Sequence, residues 1–257
     1  MKIIIESDVF SEDEGKRATI EAASKVFEEV VTVKHFIDVD ETFASEHLTS
    51  TNFWRGSMGL KSKLKQHFGI SEDDKKFNCL HFLPPFKKHA LSDQYFFTDA
   101  SSINELDEDF FPLFIRPVSG RKEFSGNVFK TKEKWLREFK FLTENKNHSP
   151  FTICLMAPER NVTKEFRFVF VNNRLVSGCL YLDKGERVDG PASQRAADLA
   201  KELAKNDFFT NFPDFVLDIC ESHGKMKFLE VNSIHTSSFY SCDLDKIYKA
   251  IRGSLNQ

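Results

Sequence analysis

Residues 215–240 read FVLDICESHGKMKFLEVNSIHTSSFY. Two strand-like runs flank Ser222-His223-Gly224-Lys225, so the stretch predicts a β-hairpin turning through those four residues. In the second run Phe228, Glu230 and Asn232 fall on one face and Leu229 and Val231 on the other, because strand side chains alternate with period two. Asp218 interrupts the first run with a carboxylate among apolar neighbours, which is costly unless the charge is paired or binds a metal. Pairing Glu221 with Met226 across the turn would bring Asp218 beside Leu229 and Glu230, so that Asp218, Glu230 and Asn232 converge from adjacent strands. Two carboxylates and an amide oxygen are hard ligands of the kind Mg²⁺ accepts. The alternative is a solvent-facing pair of acids with Asp218 on a sheet edge.

Upstream of the hairpin, FTICLMAP predicts a buried strand ending at Pro158. TKEFRFVFVNNRLVSGCLYLD predicts a hairpin turning at Asn172-Asn173. In KEFRF, Glu165 and Arg167 share one strand face, as an exposed ion pair or with Arg167 beside a substrate anion. FIRPVSGRKEFSG places Arg116 at the end of an apolar strand and Arg121 and Lys122 between Gly120 and Gly126. Such a loop either turns backbone N–H groups and cations toward a phosphate or is a β-turn with a solvated basic tip. TKEKWLREFKFLTEN is helical with Thr131 as N-cap, GPASQRAADLAKELAKND gives a second helix, and DLDKIYKAIRGSL a third. Hairpins alternating with helices predict an antiparallel sheet covered on one side, an α+β texture.

The N-terminal part differs. KIIIES predicts a strand and EDEGKRATIEAASKVFEEVV a helix with Ile20, Ala23, Val26, Phe27 and Val30 as its stripe. VVTVKHFID follows as a second strand, a small α/β unit with parallel pairing. TNFWRGSMGLKSKLKQHFG reads as a strand end, a Gly-Ser turn and a basic helix closed by Gly69. Arg55 and Ser57 at that strand end are candidates to bind a carboxylate, and Lys61, Lys63 and Lys65 either meet an acidic partner or form a solvated helix face. LPPFKKHALSDQ, with two prolines, reads as a connector. It sets a boundary within residues 80–98, between an N-terminal α/β domain (residues 1–90) and a second domain (residues 91–257).

With 257 residues the chain is long enough to bury a sizeable core. A net charge of −3 removes any bulk electrostatic case for nucleic acid or anionic membrane. No apolar run approaches the roughly 20 residues of a membrane span, and MKIIIESDVF lacks the apolar core of a signal peptide. The expected location is cytoplasmic. The five scattered cysteines then read as buried thiols, and the sequon at Asn161 as unglycosylated. The histidines are dispersed, with no nucleophilic Ser-His or Cys-His spacing.

Taken together, FIRPVSGRKEFSG, EFRFVF and FVLDIC…FLEVN resemble the ATP-grasp superfamily, and within it a phage and bacterial clade of largely unassigned substrate. The resemblance covers roughly residues 80–242 and implies two α+β subdomains with antiparallel sheets after a small α/β domain. It implies that Asp218, Glu230 and Asn232 hold one or two Mg²⁺ ions on ATP. Arg116 stands where the superfamily usually has a nucleotide-contacting lysine. Arg121 and Lys122 would fold over the terminal phosphates, and Leu155, Met156 and Ala157 would form the strap beside adenine. Glu159 would reach the ribose, and Glu165 joins the nucleotide-binding set. Arg167 would stabilise the transferring phosphoryl group. Ser237 and Ser238 would border the acceptor pocket, with His235 adjoining it. The activity implied is carboxylate–amine ligation through an acyl-phosphate, on small-molecule or peptide substrates. A phosphotransferase on the same site and a non-catalytic nucleotide-binding module are the competing readings.

Overall fold

Five consecutive buried residues, Lys2–Glu6, form β1 and start a strand–helix rhythm. The computed structural model describes residues 1–10, 13–47, 51–68, 74–120 and 123–256. After β1 come α1 (Asp13–Ser24), β2 (Glu29–Val33), α2 (Glu41–His47), β3 (Thr51–Arg55) and α3 (Met58–Phe68). Next are α4 (Cys79–Phe86), β4 (Phe96–Asp99), α5 (Ala100–Ile103), β5 (Leu113–Pro117), β6 (Asn127–Phe129), α6 (Lys132–Lys140) and β7 (Ile153–Pro158). The chain continues with β8 (Lys164–Val171), β9 (Arg174–Asp183), β10 (Glu186–Pro191), α7 (Gln194–Leu203), β11 (Phe215–Ser222), β12 (Lys225–Ser233) and α8 (Leu244–Ser254). It divides into two units. One holds Met1–Glu72, Lys164–Ile219 and Val231–Gln257, and the other holds Asp73–Thr163 and Cys220–Glu230.

In the first unit β1 lies between β2 and β3, parallel to both. Ile4 faces Trp54, Leu60 and Leu64 on one side, while Ile3 and Ile5 join Ala22, Ala23, Phe27 and Phe53 on the other. A five-stranded sheet runs β10-β9-β8-β11-β12. Six consecutive residues of β8, Phe166–Val171, are buried, so this strand is covered on both faces rather than one. Val169, Val171 and Val216 pack with Ile247, Tyr248 and Ile251 of α8. Phe170 stacks on Phe215, which stacks in turn on Phe209. Both hairpin turns sit where they were expected, because Asn172, Asn173, His223 and Gly224 all take positive φ, as a two-residue turn between twisted strands requires.

In the second unit β4-β7-β5-β6 form an antiparallel sheet. Trp135 of α6, fully buried, packs with Ile103, Ile115, Phe129 and Leu142. Thr131 caps α6 by accepting from the Lys134 N–H at 3.3 Å. Three local expectations differ from the structure. Pro84 and Pro85 lie inside α4, where burial of Cys79, Phe82, Leu83 and Phe86 outweighs the prolines' missing N–H groups. Helix α1 ends at Ser24, and Val30 belongs to β2, where β-branched residues favour the strand. Strand β10 was not anticipated from its polar, Gly- and Pro-bearing sequence, a composition suited to an edge strand.

Candidate functional site

In the first unit the site is built around Arg167. This residue, 6% exposed on β8, faces Asp218, 0% exposed on β11. Arg167 Nε donates to Asp218 Oδ1 at 2.9 Å and Nη2 donates to Oδ2 at 2.7 Å, a two-pronged pair. The third nitrogen, Nη1, donates to the Ser238 carbonyl at 2.7 Å. Asn232 Nδ2 donates to Asp218 Oδ2 at 3.2 Å. Burial lowers the Arg167 pKa, but the Asp218 charge more than offsets this and holds the guanidinium above its ordinary range. Asp218 is thus paired and buried, and the exposed Glu165–Arg167 sheet face weighed from the sequence is absent.

A β-bulge aims these groups. Between Glu165 and Phe166 the pairing shifts from Leu182 to Leu180, so Tyr181 is the extra residue on β9. Its hydroxyl donates to Glu165 Oε2. Burial, then the charges of Asp218 and Glu165, push the Tyr181 pKa up, so the phenol keeps its proton. Tyr181 stacks on Tyr240, and the Arg167 guanidinium lies 4.6 Å from the Tyr240 ring centre. The two tyrosines are functional-site neighbours that the sequence did not single out.

The polar tail after β12 folds onto the carboxyl end of β3. Arg55, 5% exposed, donates from Nη2 to the Ser237 carbonyl at 2.7 Å and from Nη1 to Tyr248 Oη at 3.3 Å. Its guanidinium stacks 3.8 Å from the Phe239 ring centre. The Gly56 N–H donates to the His235 carbonyl at 3.1 Å, and His235 Nδ1 lies 2.7 Å from the Trp54 carbonyl, so that nitrogen carries the proton. Ser57 Oγ accepts from the Leu60 N–H at 3.1 Å, starting α3. Arg55, Ser57, His235, Ser237 and Ser238 are therefore neighbours, as a common role would require. Glu6, missed from the sequence, supports them. Buried at the end of β1, it accepts from the N–H groups of Phe36 at 2.9 Å and Ser57 at 2.6 Å. A carboxylate closing the apolar run KIIIE was its signal. Lys61 is buried and Lys65 exposed, so the three lysines of α3 do not form one solvated face.

In the second unit Arg116 on β5 pairs with Leu155 of strand β7, and the Ile115–Met156 and Phe114–Ala157 pairs precede it along β5. Arg116 Nη1 donates to Glu230 Oε2 at 2.8 Å. Burial lowers the Arg116 pKa, but Cys79 and the Glu230 carboxylate, which also accepts its hydrogen bond, outweigh it and raise the value overall. Gly126 fits over this strand because it lacks a Cβ, which would lie 2.9 Å from Arg116 Cβ. Strand β4 also pairs with Leu155 and Met156 but begins opposite Met156, so Ala157 lies beyond its ladder. Glu159 forms an ion pair with Lys130. Arg121 and Lys122 lie outside the described residues.

Among the described residues no cluster of three or more His, Cys, Asp or Glu side chains is spaced to hold a metal ion. The candidate ligands are two carboxylates and an amide, a donor set whose chemistry fits Mg²⁺. Each carboxylate is paired with an arginine, Asp218 with Arg167 and Glu230 with Arg116.

By fold the chain is an ATP-grasp protein. It is similar to the D-alanine–D-alanine ligase of Bacillus anthracis solved with ATP, at a TM-score of 0.63 and 11% identity, covering 100% of this chain and 97% of that one. It is similar to the D-cycloserine synthetase DcsG at a TM-score of 0.65 and 10% identity, covering 99% of both chains. It is also similar to the ATP-grasp ligase PsnB solved with a minimal precursor, Mg and ADP, at a TM-score of 0.58 and 9% identity, covering 100% of this chain and 98% of that one. At such identities these are likenesses of fold. No curated protein sequence matches the chain significantly. The chain belongs to the family described as ATP-grasp domain, R2K clade family 3, whose model matches residues 69–251.

Proposed function

We propose that the protein is an ATP- and Mg²⁺-dependent ligase that joins a carboxylate to an amine. The observation that carries this reading is the buried Arg167–Asp218–Asn232 constellation in a chain of this family. Burying this charge costs more than packing apolar side chains would, whereas phosphoryl transfer depends on positioned cations. ATP with its magnesium would supply the γ-phosphoryl group that converts an unreactive carboxylate into an acyl-phosphate, which an amine attacks.

The chain's own residues bind, orient and exclude water. Asp218, Glu230 and Asn232 would hold the metal through their oxygens, which frees the guanidiniums of Arg167 and Arg116 to meet phosphate oxygens. Arg167 would then neutralise charge on the transferring group while its contact with the Ser238 carbonyl keeps it aimed. Leu155, Met156 and Ala157 would border adenine, with Ala157 offering the backbone edge beyond β4. Glu159, released from Lys130, would face the ribose, and Glu165 would act through Tyr181. Arg121 and Lys122 would close over the phosphates and keep the acyl-phosphate from water. Arg55, Ser57, His235, Ser237 and Ser238 would form the acceptor side.

The test is incubation of the full chain with ATP, Mg²⁺ and pooled carboxylates and amines, reading ADP, free phosphate and product mass. Ligation predicts ADP and phosphate only when both acceptors are present, with a product lighter than their sum by one water. A phosphorylated product without free phosphate would replace the ligase reading with a kinase.

A further inference from the structure

We propose that Cys179 and Cys242 are an oxidisable pair that peroxide closes into a reversible disulfide. Their sulfurs lie 3.3 Å apart although the residues are 63 positions apart in sequence. Cys179 sits on β9 directly opposite Arg167 of β8, and Cys242 lies in the loop leading into α8. Both thiols are buried, at 1% and 5% exposure. A cleft of about 290 Å³, walled by Ala18, Glu21, Ala22 and Lys25 of α1, reaches Cys242, whose sulfur alone stands between it and the Cys179 sulfur 3.3 Å further in. The loop is held in register, since the Asp243 N–H donates to Ser177 Oγ at 2.9 Å.

The pair is also chemically asymmetric. Cys242 donates its S–H to Cys179, and this bond, with help from Ser241 and Arg167, lowers the Cys179 pKa below the usual thiol range. The same bond and burial push Cys242 up. Cys179 is therefore the nucleophile. Its thiolate attacks one peroxide oxygen, the O–O bond breaks, hydroxide leaves and a sulfenic acid forms on Cys179. Cys242 sulfur then displaces the sulfenic oxygen, which departs as water with the Cys242 proton. The two sulfurs together give up two electrons to the peroxide. A disulfide needs the sulfurs at about 2.05 Å, so closure asks for roughly 1.2 Å of travel. Strand β9 is paired on both sides, so the loop at 239–242 is the part that moves. Phe239 against Arg55 and Tyr240 against Arg167 move with it.

The test needs no nucleotide, so its outcome is separate from that of the ligase assignment. The reduced full-length protein is titrated with hydrogen peroxide, its remaining thiols are alkylated under denaturing conditions, and unreduced digests are mapped by mass spectrometry. The expected result is a dose-dependent Cys179–Cys242 cross-linked peptide that dithiothreitol removes. Cys154, whose thiol burial pushes up to about 12, stays alkylatable. In Cys242→Ser the cross-link is lost and Cys179 is trapped by dimedone as a sulfenic acid. Oxidation of the native protein that leaves both cysteines alkylatable, links Cys179 elsewhere, or drives it to sulfinic acid without a cross-link overturns the proposal.

Discussion

Arg167 and Asp218 are each costly to bury alone, and each makes the other tolerable. Removing one partner leaves an uncompensated buried charge, a loss of about 3–5 kcal/mol. Asp218→Ala is therefore expected to lower the unfolding free energy by an amount in that range, read from urea denaturation as a lower midpoint. Asp218→Asn keeps the volume and is expected to cost less stability while still weakening metal-dependent nucleotide binding, which separates the structural from the functional contribution. The cost of Asp218 was legible because a carboxylate stood in an apolar run. Its partner was not, since Arg167 lies 51 residues away and reaches Asp218 through strand order and a bulge that no local pattern encodes. A simpler residue-scale test is Asp99, which accepts from Ser101 Oγ, Ser102 Oγ and the Ser102 N–H. These bonds lower its pKa from 3.8 to about 2. The folded state binds this proton less readily than the unfolded chain. The contribution is thus fully present above the unfolded pKa and is lost as pH falls through about 2. The Asp99 carboxyl carbon shift is expected to titrate near pH 2, and an ordinary carboxylate midpoint would contradict the capping geometry.

Among the elements, β8 and β9 carry the most consequence, because their register places Arg167 opposite Cys179 and Phe168 opposite Gly178. Gly178 is required there, since a Cβ would lie 2.4 Å from Phe168 Cδ1. Gly178→Ala is expected to cost about 1–3 kcal/mol by overpacking, seen as a lower urea midpoint with an unchanged slope. Both long hairpins were legible, because Asn-Asn and His-Gly turns between apolar runs state their geometry locally. Strand β10 and helix α4 were not. The first is an edge strand whose polar, Gly-Pro composition imitates a loop, and the second keeps two prolines in a helix because its apolar face is buried. The polar tail after β12 was legible as a site, but its support at the end of β1, Glu6, was missed, because its one signal was a carboxylate at the end of an apolar run, where a strand also simply stops.

For the whole molecule, the antiparallel hairpins and the small parallel unit were readable before any coordinates from patterning within short segments, and the family from the resemblance of three separate stretches. The pairing of each candidate carboxylate ligand with an arginine was not, because it depends on contacts distant in sequence. If Asp218, Glu230 and Asn232 hold the metal of a metal–nucleotide complex, nucleotide binding must require a divalent ion. It must also stabilise the fold by about 2.7 kcal/mol at a ligand concentration of one hundred Kd, which raises the melting temperature by several degrees. The most direct measurement is titration calorimetry of the full chain with a non-hydrolysable ATP analogue, with and without Mg²⁺. The account predicts saturable binding with magnesium, its loss on chelation, and its weakening in Glu230→Gln. A correctly folded protein that takes up no nucleotide with magnesium, or takes it up equally well without, would contradict it.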